Sequence, residues 1–177
     1  MKKMLCFTAA VILLLSASFG VCAVSTADAV QPVDIERKCS LSVTLGYGDS
    51  RFSGSEIRLW HIADINREAV YELSDRFSEY PIDISAISSR SEWRELTGAL
   101  NSYIVADKID SDLVSVTDNS GTAFFGELKA GIYLVSGLSF RINGESYSFE
   151  SFAVAVPGVS GGEWVYDVTA APKLSEL

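Results

Sequence analysis

The sequence has 177 residues, with 14 Lys plus Arg against 23 Asp plus Glu and a formal net charge of −9. That balance argues against nucleic acid as a partner, because phosphate binding needs a basic face. Hydrophobic residues make up 48% and aromatics 11%, enough to build one packed domain and too much for a disordered chain. A single histidine and three cysteines leave little material for a transition-metal centre or a disulfide framework, and the composition points away from most enzymes.

Residues 1–29 read as a secretory signal peptide. Lys2 and Lys3 form a basic start, an apolar run extends through Leu5, Phe7 and Ala9 to Leu15, and small residues follow, with Val21-Cys22-Ala23 and Ala27-Asp28-Ala29 as cleavage patterns. The apolar run is short for a transmembrane helix, so no membrane span is expected after cleavage. Ordinary cleavage is favoured over lipoprotein processing at Cys22, since Val21 is larger than that processing prefers. Removing residues 1–29 takes away Lys2, Lys3, Asp28, Cys6 and Cys22, which leaves the remainder one charge more acidic and with Cys39 alone. No internal disulfide is then possible. A buried small hydrophobe is the simplest role for Cys39, because no histidine lies close in sequence to activate its thiol.

After a short lead over residues 30–38, Cys39 to Tyr47 alternates, with Leu41, Val43 and Leu45 on one face and Ser42 and Thr44 on the other, as in a half-buried strand. Gly46, Gly48, Asp49, Ser50 and Gly54 mark a turn. Ile57, Leu59 and His61 then alternate with Arg58, Trp60 and Ile62, a strand with apolar character on both faces, and Val70 to Leu73 suggests a further short one. One helix interrupts this pattern. Ser89 and Glu92 stand in capping-box spacing, and Trp93, Leu96, Leu100, Tyr103 and Ile104 line one face to about Ala106. The helix is expected to cover an open edge or end of a sheet. Beyond it, Thr122–Phe125, Ile132–Val135, Leu138–Ile142, Ser146–Val156 and Glu163–Ala170 read as strands. Asn143-Gly144 signals a tight hairpin, and Pro157 with the glycines up to Gly162 separates the last two strands. The whole reads as one mainly β domain, an antiparallel β-sandwich of about seven or eight strands with one inserted α-helix.

Catalytic patterns are poor, and no catalytic residue, cofactor motif or metal site is expected. His61 sits inside a strand and reads as a satisfied histidine before it reads as a general base. Gly46-Tyr47-Gly48 lacks the third glycine and following helix of a dinucleotide loop. Asp107, Asp110 and Asp112 lack the glycine and terminal glutamate of a calcium loop and read as a solvated helix exit.

One segment carries a recognisable pattern: Thr117-Asp118-x-x-Gly121-x-Ala123-x-Phe125-x-x-Leu128-x-x-Gly131-x-Tyr133-Leu134-Val135. Asp118 and Gly121 suit a turn, Phe125 and Leu128 suit a core, and Gly131 is expected to permit a second turn. The segment resembles the signature of collagen-adhesin B-type (Cna-B) domains, the prealbumin-like or Ig-like sandwiches of Gram-positive surface proteins and pilins. The order of the opening strand, the Leu59–Asp64 strand, the Trp93 helix and the Phe152–Pro157 strand is similar to the first domain of pilin-like proteins, and the resemblance covers residues 39–173. Residues 174–177 read as a tail.

The last stretch, Trp164-x-x-x-Val168-x-Ala170-Ala171-Pro172-Lys173, is similar to the pilin motif Trp-x-x-x-Val-x-Val-Tyr-Pro-Lys, departing from it at Ala170 and Ala171. The resemblance implies that the Lys173 amine accepts an isopeptide bond from the acyl-enzyme that a sortase forms with the next subunit. Trp164 and Val168 are expected to share a strand face, with Pro172 ending the strand and presenting Lys173; an exposed Pro-Lys linker is the plainer alternative. No internal isopeptide bond is expected: Lys38 stands only at the edge of the first strand, the last strand has no asparagine, and Ser136-Gly137 replaces the usual acid. The resemblance also implies a chain continuing past Lys173. The sequence ends at Leu177 without Leu-Pro-x-Thr-Gly, hydrophobic tail or basic stop, so anchoring through this terminus is not expected.

These readings describe a non-enzymatic, secreted or cell-surface structural protein, with a sortase and neighbouring pilin subunits as partners. The alternative is an adhesin-type binding module in which Tyr47, Trp60 or loop aromatics contact a host protein or glycan.

Overall fold

A computed structural model describes residues 31–47, 50–85, 87, 89–142 and 144–177. The signal-peptide reading of residues 1–29, with Cys6 and Cys22, lies outside the described residues, as do Gly48, Asp49 and Asn143 of the expected turns. In chain order the strands are β1 (Cys39–Thr44), β2 (Gly46–Tyr47), β3 (Ser50–Arg51), β4 (Glu56–Ile65), β5 (Tyr71–Leu73), β6 (Leu113–Val116), β7 (Thr122–Leu128) and β8 (Gly131–Gly137). They continue with β9 (Phe140–Ile142), β10 (Glu145–Phe149), β11 (Phe152–Val156), β12 (Gly158–Ser160), β13 (Glu163–Val165), β14 (Asp167–Ala170) and β15 (Leu174–Glu176). The single helix among the described residues, α1, spans Arg90–Ala106.

Two sheets make the sandwich. One has the order β14-β1-β7; the other runs β11-β8-β4-β5, with β6 also paired to β4. Between them lies the inner core, to which β1 contributes Leu41 and Val43, β4 Ile57 and Leu59, β7 Ala123 and Phe125, and β8 Tyr133 and Val135. The alternation read in β1 is therefore the alternation of core and surface, and Cys39 begins it as a buried residue. Burial raises the Cys39 thiol above its ordinary pKa, as expected for a small hydrophobe and not for an activated nucleophile.

The pairing is not wholly antiparallel. β1 runs antiparallel to β7 but parallel to β14, in the register Ser40–Asp167 to Val43–Ala170. A parallel pair needs a long crossover, and here the whole domain between β1 and β14 supplies it. The expected single strands over Ser146–Val156 and Glu163–Ala170 are each divided, into β10 with β11 and β13 with β14. The residues after Lys173, read as a tail, contain β15, which pairs antiparallel to β10 and buries Leu174.

A second core lies on the outer face of the β4–β8 sheet. Trp60 and Ile62 from β4, Ile132 and Leu134 from β8, Leu100 and Ile104 from α1, and Phe77 from the loop after β5 pack together there. This explains why β4 and β8 are apolar on both faces, a pattern typical of strands covered on both sides. α1 lies over the outer face of this sheet on the side of its edge strand β11, so it covers a face as well as flanking the edge that the sequence suggested. α1 starts at Arg90 because the capping box forms as read. Glu92 N–H donates to Ser89 Oγ at 3.3 Å, and Ser89 N–H donates to Glu92 Oε2 at 2.8 Å.

Two glycines of the recognised segment act differently from each other. Gly121 sits at φ +76° in the turn where Asp118 Oδ1 accepts from the N–H groups of Ser120 and Thr122, and a Cβ there would come within 2.6 Å of the Leu45 carbonyl. Gly131 was expected to permit a turn, but it is the first residue of β8. Its lack of a side chain allows close approach to β4, not a left-handed backbone.

Candidate functional site

The first turns of α1, the edge strand β11 and the segment linking β14 to β15 enclose a surface groove of about 440 Å³. Arg90, Trp93 and Arg94 come from the helix, Phe152 and Ala153 from the strand, and Pro172 and Lys173 from the link. The capping box fixes where the helix begins, and so fixes the side on which Arg90 and Arg94 stand. Lys173 is exposed at the rim, with Pro172 half-buried before it. β14 ends at Ala170, and Pro172 follows two residues later in the link to β15.

The four residues of the pilin-like motif divide between two places. Pro172 and Lys173 line the groove, while Trp164 and Val168 are half-buried against the inner core. Trp164 lies on β13 and Val168 on β14, so they do not share the face of one strand as expected. Tyr166, buried between them in sequence, breaks the run: its hydroxyl accepts from Asp34 N–H at 2.8 Å, and the Arg37 guanidinium lies 4.3 Å from its ring centre. Trp164 Nε1–H donates to the Gln31 carbonyl at 2.6 Å, which ties the lead segment to the end of the sandwich. Val168 faces Leu41 across the parallel ladder. Trp164 and Val168 thus support the last strands, and Pro172 and Lys173 meet solvent.

A polar cluster occupies the edge of β4. His61 Nε2 is buried, makes no hydrogen bond among the described residues and lies 3.5 Å from Asp64 Oδ1. Lys129 Nζ reaches the same oxygen at 2.5 Å, and the Arg76 guanidinium lies 2.9 Å from Asp112. Burial holds the His61 imidazole below its ordinary pKa, and Asp64 opposes this. Asp112 Oδ2 accepts from His61 N–H at 2.7 Å, and Asp107 Oδ2 accepts from the Tyr80 hydroxyl at 2.5 Å. Asp107 and Asp112 are therefore committed to separate protein partners. Among the described residues no group of three or more His, Cys, Asp or Glu is placed to hold a metal ion, and no helix is long and apolar enough to cross a membrane.

The aromatics of the adhesin reading separate as well. Tyr47 is 61% exposed, whereas Trp60 is 5% exposed and donates Nε1–H to the Ile109 carbonyl at 3.0 Å. Lys38 is exposed ahead of β1, and β14 carries no asparagine. The groove itself was missed by sequence reasoning. Its walls come from residues 90–97, 150–153 and 172–175. The available signal was the pair Arg90 and Arg94, one helical turn apart beside the Trp93 face.

No known protein-family model matches the sequence, and no curated protein does. Among solved structures, the full-length major pilin SpaD of Corynebacterium diphtheriae matches 81% of this chain at 22% identity, with a TM-score of 0.51. The shaft pilin SpaA of Lactobacillus rhamnosus GG matches 80% of it at 11% identity and a TM-score of 0.48, over 50% of its own length. The SpaA pilin of C. diphtheriae, solved as a complex with a signal peptide, matches 80% of it at 18% identity and a TM-score of 0.47, over 99% of its own length. This chain spans 31% of the SpaD chain. The SpaD comparison carries the fold: over the matched region the chain folds as a β-sandwich like that of the SpaD major pilin.

Proposed function

We propose that this chain is a domain of a pilin-like, cell-surface structural subunit, in which Lys173 is the amine that accepts an isopeptide bond made by a sortase. The observation carrying the reading is that Lys173 stands exposed at the rim of a groove, directly after Pro172 in the short link between β14 and β15. An acceptor amine must be reachable by a bulky acyl-enzyme and held by rigid structure. Pro172 and the two flanking strands provide that hold. In the step, the neutral Lys173 Nζ attacks the acyl carbon, a C–N bond forms, the bond to the enzyme nucleophile breaks, and the amine releases a proton.

The test is a conjugation assay with a sortase and a donor peptide carrying its sorting motif, followed by peptide mapping. Wild-type protein is expected to gain the donor at Lys173, and Lys173→Ala to gain none. Equal labelling of both proteins, or none of either, overturns the reading.

A further inference from the structure

We propose that the groove beside Lys173 takes an extended acidic peptide segment, added as a further strand along the free edge of β11, with carboxylates at alternate positions paired to Arg90 and Arg94. The inference deepens the acceptor reading, and rests on it for the idea that a partner polypeptide approaches this groove.

The first observation is the edge. β11 is hydrogen-bonded to β8 on one side and ends the sheet on the other. Its sequence, Phe-Ala-Val-Ala-Val, carries no charge. An uncharged apolar edge invites pairing with another chain, and proteins usually block such edges with charge, proline or a covering segment. Here no described strand covers it, and the groove runs alongside.

The second observation is the charge on the facing wall. The protein has an excess of carboxylates, yet Arg90, Arg94 and Lys173 line this groove against a single carboxylate, Glu150, at its β11 end. Among the described residues none of the three has a carboxylate within ion-pair distance. Arg90 is moreover the first residue of α1, where the helix dipole disfavours a cation. Among the described residues, then, neither arginine is accounted for by an ion-pair partner in the fold.

The third is geometric. Trp93 sits beside Ala153 to Ala155, and Asn101 beside Ser151, so α1 runs antiparallel to β11 along that side of the sheet. Residues four apart on a helix rise about 6 Å, and residues two apart on a strand advance about 6.6–6.8 Å. Carboxylates at alternate positions of an added strand therefore match the spacing of Arg90 and Arg94. Backbone bonds to β11 would supply affinity, and the arginines the selection.

The probe is a blocked peptide, Thr-Glu-Val-Glu-Val-Thr, titrated into 15N-labelled protein and compared with its Gln-for-Glu isostere and with a version N-methylated on the edge-facing amides. The expected result is shifts at the Phe152–Val156 amides and around Arg90, with binding about five-fold or more weaker for the Gln isostere and for the Arg90→Gln/Arg94→Gln protein, and abolished by N-methylation. Both arginines are exposed, and unchanged amide dispersion of the variant verifies its fold. Equal affinity for the Glu and Gln peptides, shifts located elsewhere, or no shifts at all overturn the inference. The titration needs no sortase and the conjugation assay needs no acidic donor, so either reading can fail while the other stands.

Discussion

Gly131, whose register partner on β4 is Asp64, lies so close to the backbone of Ala63 that a methyl group on Gly131 would stand 2.1 Å from the Ala63 carbonyl oxygen and 2.6 Å from His61 Nε2. The first obstacle is backbone, which cannot swing aside as a side chain can. Gly131→Ala is expected to cost about 1–3 kcal/mol or more through overpacking. It would be read as a lower urea midpoint with little change in slope; a midpoint equal to wild type would show that the strands can part freely here.

The capping box of α1 can be tested separately from its packing. Ser89→Ala removes the acceptor for Glu92 N–H and is expected to cost about 0.5–2 kcal/mol. Ser89→Asp, which keeps an acceptor, should restore most of that. Because the cap positions Arg90, amide exchange in the first turn should quicken in the alanine variant and not in the aspartate variant.

His61 gives the fold an acid-side weakness. Its folded pKa lies below the ordinary 6.5 because of burial, with Asp64 and Asp112 pulling the other way and Lys129 adding to the lowering. The unfolded chain therefore takes up a proton more readily than the folded one. Stability tied to the neutral imidazole is full above 6.5 and declines as pH falls through that value toward the folded pKa. Urea midpoints of wild type and His61→Gln at about pH 7.5 and about pH 5 isolate the effect from the carboxylates. The wild-type drop between the two should exceed that of His61→Gln; identical drops would remove His61 from the account.

The intact mass addresses the internal cross-link. With Lys38 exposed outside β1 and no asparagine on β14, no amine and amide are packed together at the first and last strands. The protein is expected to have the full mass of its processed sequence. A deficit equal to one ammonia or one water, mapped to a linked pair of peptides, would overturn this.

The sequence was most readable where local rules act alone. Ser89 with Glu92, and the apolar spacing from Trp93 to Ile104, placed α1 to within a residue because capping and helix periodicity are both short-range. β1 was equally open to reading through its alternation. β6 was not: Leu113, Val114 and Val116 are all exposed, so no core-facing alternation distinguishes the strand from the acidic helix exit before it. β15 is three residues long and owes its existence to pairing with β10, which no local signal announces. The role of Gly131 was misread for a related reason, since a close approach and a turn both demand glycine and only the partner strand tells them apart. The groove was hidden because its walls lie far apart in sequence. Lys173 was singled out through a motif resemblance; two other residues of that motif, Trp164 and Val168, pack against the inner core, away from the groove that Lys173 lines.

The parallel register of β1 and β14 also has a mechanical consequence. Because the two strands run the same way, the chain enters at Cys39 and leaves after Ala170 at opposite ends of the paired segment. Tension applied between those points would not peel the ladder open one bond at a time. It would slide the strands along each other, straining the pairs from Ser40–Asp167 to Val43–Ala170 together.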